Sequence, residues 1–219
     1  MMWVVKIGGS LQESDCLSEW LNCLVEYGAG RVVIVPGGGK YADAVREDQL
    51  KHGFDDVKAH KLALLAMEQY AQLLNSIVPE LQCVSDLDSI NSCLRNNQVP
   101  VWLPYKMIVG EKKIPASWEA GSDALAIWLA KKINSNAVML VKSVNLPEHY
   151  SGLEELAGLG LIDKFSTVLL EQSNLSLIWM HRNDSEFLSE ILNQSQQSEN
   201  SELIYAPGAS CPEIEINVS

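Results

Sequence analysis

A lysine followed closely by two glycines and a serine, Lys6-Ile7-Gly8-Gly9-Ser10, closes the apolar run of Val4 and Val5 near the start of this chain. The chemistry such a set can do is anion binding. Glycines allow positive φ and close backbone approach, so successive N–H groups can converge on an oxyanion. Lys6 adds a point cation with rotatable donors, suited to a phosphate rather than to a planar base. Standing alone, the set reads better as a strand, a tight turn and a solvated strand-end lysine, because a Gly-Gly turn after a strand is common. A second set shifts the balance: Val32-Val33-Ile34-Val35 runs into Pro36-Gly37-Gly38-Gly39. Two glycine loops at the ends of two neighbouring strands imply two phosphate-bearing ligands facing each other.

Two familiar phosphate motifs can be tested against these loops. A P-loop needs GxxxxGK followed by Ser or Thr, whereas Gly39-Lys40 is followed by Tyr41 and position 34 is Ile, which excludes that class. The dinucleotide fingerprint matches Gly37-x-Gly39-x-x-Ala42, with Asp55 or Asp56 as the acidic residue downstream. That acid should close a second strand, and residues 49–57 have no β character, so this match is weak.

The elements that must position these residues follow from apolar periodicity. Leu17, Trp20, Leu21, Leu24 and Val25 recur at helical spacing up to Gly28, and 31–35 is a β-branched run, giving strand, helix, strand. Gly37 to Gly39 opens a helix through Tyr41, Ala42 and Val45, whose N-terminus offers free N–H groups and a positive dipole end. Residues 55–77 form a long helix with Leu62, Leu65, Ala66, Tyr70, Leu73, Leu74 and Ile77 on one stripe, ended by Pro79. A helix near 87–94, a strand at 99–103, an irregular stretch at 112–118 and a helix opened by Ser122-Asp123 follow. Strand 137–141 ends in Lys142-Ser143-Val144-Asn145, and 146–160 reads as a loop rich in Gly and Glu. Then come helix 165–170, strand 175–180, helix 187–192, a polar loop at 194–200 and a last strand at 203–206. The pattern predicts an α/β fold, a three-layer αβα sandwich with a mostly parallel central sheet, in one domain over residues 1–219. In such sheets ligands sit at the carboxyl ends of the strands, where Lys6, the second glycine loop and Lys142 all fall.

Composition bounds the function. The net charge of −12 and the absence of a basic stripe argue against a nucleic-acid partner, so any anion site must be built from singly placed cations. Five cysteines without CxxC spacing fit reduced thiols in the cytoplasm. No apolar run reaches membrane-spanning length, and Lys6 and Gly8 interrupt any signal-peptide pattern.

In order along the chain, Lys6-Ile7-Gly8-Gly9-Ser10, Pro36-Gly37-Gly38-Gly39, Ser122-Asp123-Ala124-Leu125-Ala126 and Leu140-Val141-Lys142-Ser143-Val144 resemble the amino acid kinase superfamily. Acetylglutamate, aspartate, uridylate and isopentenyl phosphate kinases belong to it. Within it, 39–46, Ala59-His60 with 66–70, and Pro115-Ala116-Ser117-Trp118 resemble the small methanofuran-pathway kinases, which phosphorylate [5-(aminomethyl)furan-3-yl]methyl phosphate. The resemblance implies ATP and Mg²⁺, a small phosphate acceptor and a homo-oligomer. Lys6 would bridge the β- and γ-phosphates, and Asp123 would orient that lysine and the waters of Mg²⁺. Gly8, Gly9 and Ser10 would donate to the nucleotide, with Lys142 and Lys164 as further cations there; no residue is assigned as a metal ligand. Gly37, Gly38, Gly39 and Arg46 would face the acceptor, and Asp43 its aminomethyl group. This suits phosphoryl transfer, which needs mainly positioning and electrostatic stabilisation. The nucleoside side departs from the family: Asn145 replaces a common Asp, Leu146-Pro147 a glycine, and His181-Arg182-Asn183-Asp184 a glycine-bearing turn.

Simpler readings stand beside these. Asp123 could be a first-turn acid beside an N-cap, His60 a core histidine, and Arg46 a solvated helix residue. Trp20, Trp102, Trp128 and Trp179 read as core, whereas Trp118 could line a ligand site. Other acceptors (a carboxylate such as acetylglutamate, or uridylate) and a non-catalytic nucleotide-binding sensor are the functional alternatives.

Overall fold

The computed structural model describes residues 2–194, 203–204 and 214–215. Strand β1 (Trp3–Ile7) leads through a 3-10 turn (Gly9–Leu11) into α1 (Cys16–Gly28), then β2 (Val32–Pro36) and α2 (Gly39–His52). Next come α3 (Asp56–Ile77), β3 (Gln82–Val84), α4 (Leu87–Arg95), β4 (Pro100–Trp102) and the single turn α5 (Tyr105–Ile108). The chain continues with α6 (Ser122–Lys132), β5 (Ala137–Lys142), α7 (Leu153–Gly158), α8 (Lys164–Glu171), β6 (Ser176–His181) and α9 (Leu188–Gln194). Two short strands, β7 (Leu203–Ile204) and β8 (Ile214–Glu215), pair antiparallel.

Six strands form one parallel sheet in the order β3-β4-β2-β1-β5-β6. The chain builds outward from β1 through β2, then crosses to the other side of β1 for β5, so the sheet changes direction between β1 and β5. Such a reversal opens a crevice at the carboxyl ends of the strands. Both faces are covered, which is why β1, β2 and β5 read as apolar runs, interrupted by Lys6 in β1 and ended by Lys142 in β5. Val4, Val33, Val35, Val138, Leu140 and Trp179 pack against Ile90, Leu125, Leu129 and Leu170 on one face. Val5, Ile7, Val32, Ile34, Met139 and Val141 pack against Trp20, Leu24, Leu74 and Leu188 on the other. The three-layer expectation is met.

Several details differ from the sequence reading. Along α3 the buried positions are Ala59, Leu64, Ala66, Met67, Tyr70, Ala71 and Leu74, whereas Leu65 and Ile77 are exposed. The helix sits where both apolar layers reach it, Leu64 and Met67 in one and Tyr70 and Leu74 in the other, so no single stripe describes it. Strand β3 went unpredicted because it is three residues long at the sheet edge, with Gln82 and Cys83 half-exposed and Val84 alone buried. The loop expected at 146–160 contains α7, which docks through Leu156 and Ala157. The tryptophans expected in the core are there, from Trp20 and Trp102 at 0% exposure to Trp128 at 6%. The predicted loop at 194–200 and the strand extension to 206 fall mostly outside the described residues, which include only Gln194 of the former and β7 of the latter.

Candidate active site

Strand geometry delivers the first two charges. Side chains two apart share a face, so Lys6 points the same way as Val4, and Lys142 the same way as Val138 and Leu140. That face is the one covered by α6. Lys6 is therefore buried at 5% exposure, contrary to the expectation of an exposed strand-end lysine. Its Nζ lies 2.9 Å from Asp123 Oδ1. Lys142 Nζ donates to Asp123 Oδ2 at 2.5 Å and to the Leu161 carbonyl at 2.9 Å, and lies 5.6 Å from the Trp179 ring centroid.

Asp123 is thus no simple helix-end charge; it sits between two ammonium groups at 3% exposure. Burial opposes its ionisation, but Lys6 and Lys142 outweigh burial and hold the carboxyl down at about 2. Lys142 is pulled below the ordinary lysine range by burial and by the charge of Lys6, partly offset by Asp123. A second carboxylate stands nearby. Asp163 Oδ2 accepts the backbone N–H groups of Asp123 and Ala124, at 2.9 and 3.3 Å. Burial, then the charge of Asp123, push Asp163 up to about 6 despite the attraction of Lys6 and Lys142. The sequence reading missed Asp163, which belongs to no recognisable local motif. Lys164, its neighbour, is exposed and stands 3.9 Å from Glu119, outside the buried cluster.

The two glycine loops touch backbone to backbone. A Cβ on Gly9 would overlap Gly39, and one on Gly37 would overlap the Gly9 nitrogen. Gly39 has φ +53°, a left-handed conformation that glycine adopts without strain. Two of the expected donors are spent inside the fold: Gly8 N–H bonds the Val141 carbonyl at 3.0 Å and Gly37 N–H the Ile7 carbonyl at 2.8 Å. Those bonds tie both loops to the sheet, so Gly8 and Gly37 shape the site rather than donate to a ligand. No acceptor among the described residues takes the N–H groups of Gly9, Ser10, Gly38 or Gly39. Gly38 and Gly39 open α2, where the first amides lack intrahelical partners.

A cavity of about 390 Å³ opens at this seam. Gly9, Ser10, Gly38, Gly39, Asp43 and Arg46 line it, as does Asp163. Its apolar wall comes from Ala63, Leu64, Met67 and Leu125, joined by His60 and Trp118. Arg46 is held in place: its guanidinium lies 4.4 Å from the Trp118 ring centroid, and the Trp118 indole N–H donates to Gln49 at 2.6 Å. Asp43 leans on Arg46 at 4.0 Å. His60 is half-buried in the wall and its pKa is lowered by burial, so it is a neutral lining residue rather than a core histidine. Its place on α3 was legible, but the cavity in front of it was not.

Of the residues expected to bind the acceptor, Gly38, Gly39, Asp43 and Arg46 share this cavity, and Gly37 buttresses it from behind. Lys6, Asp123 and Lys142 form one cluster at the same strand ends. Among the described residues there is no group of three or more His, Cys, Asp or Glu that could cage a metal. No described helix is long and apolar enough to cross a membrane.

Comparison with known proteins gives four further findings. The chain is 24% identical over 204 residues to the [5-(aminomethyl)furan-3-yl]methyl phosphate kinase of Methanocaldococcus jannaschii, covering 87% of this chain and 93% of that protein. Its fold is similar to the crystal structure of uridylate kinase from Archaeoglobus fulgidus, with a TM-score of 0.60 and 18% identity over 81% of this chain and 89% of that one. It is also similar to isopentenyl phosphate kinase, with a TM-score of 0.57 and 14% identity over 88% and 96%. Residues 1–145, which carry both glycine loops, Lys6, Asp123 and Lys142, match the model of the amino acid kinase family, and the chain belongs to that family.

Proposed function

We propose that this protein is an ATP-dependent kinase that transfers the γ-phosphoryl group to [5-(aminomethyl)furan-3-yl]methyl phosphate, in methanofuran-type cofactor biosynthesis. The observation that carries the reading is the contact between the two glycine loops, with a buried Lys-Asp-Lys cluster at the strand ends and a cavity large enough for a small ring on the α2 side. Phosphotransferase activity follows from the family; the identity of the acceptor is the proposal.

In this reading the γ-phosphoryl group meets Lys6, whose charge offsets the negative charge spread over the transferring oxygens. Asp123 holds Lys6 and Lys142 close together despite their mutual repulsion. Free amides of Gly9 and Ser10 face the nucleotide phosphates, and those of Gly38 and Gly39 the acceptor phosphate. Arg46 supplies the cation that an overall charge of −12 makes necessary. Ala63, Leu64, Met67 and Leu125 offer an apolar wall for a furan ring. Lys164 remains the second candidate cation for the nucleotide. The acceptor phosphate is already ionised at neutral pH, so no protein base is needed to unmask its nucleophilic oxygen. Both carboxylate oxygens of Asp123 are taken by lysines, which does not suit it as a direct magnesium ligand. Mg²⁺ would enter on the nucleotide phosphates, which it commonly prefers to an all-protein cage, and neutralise part of their charge. Four unpaired thiols among the described residues support a cytoplasmic setting. The single domain and homo-oligomer belong to the same proposal, the latter supported by the exposed Leu50, Val57 and Leu65 on α2 and α3.

An ATP-consumption screen across phosphomonoesters and amino-carboxylates tests the acceptor: turnover confined to uridylate or acetylglutamate would sink the furan assignment. Arg46 gives a sharper test. A charge-assisted hydrogen bond contributes roughly 1.5–3 kcal/mol, so Arg46→Ala is expected to raise the acceptor KM by about 10- to 100-fold and leave the ATP KM unchanged. Arg46→Lys recovers only part, because lysine neither stacks on Trp118 nor binds a phosphate bidentately. A rise in the ATP KM alone would mean that the two loops serve the opposite substrates.

A further inference from the structure

Helix α6 begins without a cap of its own. Its N-cap residue is Gly121, and no side chain of its own first turn accepts from the free amides. N-cap side chains normally take the N–H of the second or third helical residue. Here those residues are Asp123 and Ala124, and their amides go to Asp163, 40 positions away in the chain. The gap left by the missing side chain at Gly121 is the space that Asp163 fills: a Cβ on Gly121 would overlap its carboxylate. Gly121 and Asp163 are therefore a matched pair. The residue held by this contact is the one that pairs with both lysines.

We infer that Asp163 is a positioning residue for phosphoryl transfer, capping α6 from another element so that Asp123 meets Lys6 and Lys142. The inference rests on the kinase reading for its rate consequences and on geometry alone for the contact itself. The charged and titratable groups around Asp163 are Asp123 on α6, Lys6 on β1, Lys142 on β5 and its own neighbour Lys164 on α8. Asp163 is ionised at neutral pH and loses its charge as the pH falls through about 6. A neutral carboxyl is the weaker acceptor, so α6 loosens as the pH falls.

Two arms test this on the full chain. In the kinetic arm, loss of an N-cap interaction predicts that Asp163→Ala lowers kcat roughly tenfold, with both KM values unchanged. Asp163→Asn, which keeps an acceptor oxygen, recovers part of that loss, and Gly121→Ala reproduces it by pushing Asp163 away. The wild-type kcat falls below pH 6, and this acid limb is absent in Asp163→Asn, a change that a purely structural role would not produce. An acceptor KM that rises while kcat stays constant would show that Asp163 touches the acceptor instead, and unchanged kcat in Asp163→Ala would also overturn the inference. In the second arm, the backbone amide NMR signals of Asp123 and Ala124 shift with a midpoint near pH 6 in the wild type and not in Asp163→Asn. Amides that do not titrate overturn the contact whatever the enzyme does. Amides that titrate in a protein with no transferase activity leave the contact standing and remove the kinase reading.

Discussion

Lys6→Ala is expected to lose phosphoryl transfer by a factor of about 100 or more while still folding. The loss follows from removing a cation beside a charged transition state, where one such contact contributes about 3 kcal/mol. The survival of the fold follows from the charge count in the cluster. With Lys6 gone, Asp123 still has Lys142 on Oδ2, so no buried charge is left uncompensated. The stability cost should then fall below the ~3–5 kcal/mol typical of breaking a buried pair. Steady-state kinetics and urea unfolding on the same preparation check both parts. Near wild-type turnover would return Lys6 to the role of a buried structural lysine.

Asp123→Asn should behave differently, because it removes the carboxylate in contact with both ammonium groups. Turnover is expected to fall by about 100-fold, as for other groups that stabilise charge in a transition state. Stability should fall by about 3 kcal/mol or more, since two buried cations are left facing each other. The order of unfolding midpoints is then wild type, Lys6→Ala, Asp123→Asn. Inorganic phosphate should stabilise Asp123→Asn more than wild type, because an anion bound between the lysines restores the lost charge. A mere helix-end charge would cost under ~1 kcal/mol and leave the rate unchanged. That outcome, with no added response to phosphate, would remove Asp123 from the mechanism.

The parts of this site that were legible in the sequence are those carried by short-range pattern. Lys6 with its glycines, and Pro36 with its glycines, announce themselves because strand and loop are contiguous. What escaped depends on contacts between distant segments. Period 2 along β1 and β5 would have placed Lys6 and Lys142 on α6's side, but only knowledge that β5 lies beside β1 makes that a cluster. Asp163 stands in an unremarkable loop, and its partners are backbone amides, which carry no sequence signature at all. The exposed reading of Lys6 failed for the same reason: a lysine at a strand end is usually solvated, and nothing local shows that Asp123 covers it. Gly8 and Gly37 were read as ligand donors because a glycine's amide and its shape leave the same letter in the sequence; here the shape is what is used. Along α3, a single stripe was assumed for a helix that serves both layers.

The backbone-to-backbone contact between Gly9 and Gly39 bears on how such an enzyme can change its diet. A Cβ on Gly9 would overlap the Gly39 backbone, and Gly39 sits at φ +53°, where a side chain is strained, with the Gln12 amide beside it bridging to the Lys40 N–H. Selection for a different acceptor therefore has little purchase at the point of reaction. It must act on the far wall, at positions such as His60, Ala63, Met67 and Trp118, where side chains can be exchanged without disturbing the distance between the reacting groups. New specificities in proteins built this way should arise as changes in α3 and in the segment around Trp118, with the glycines left as they are.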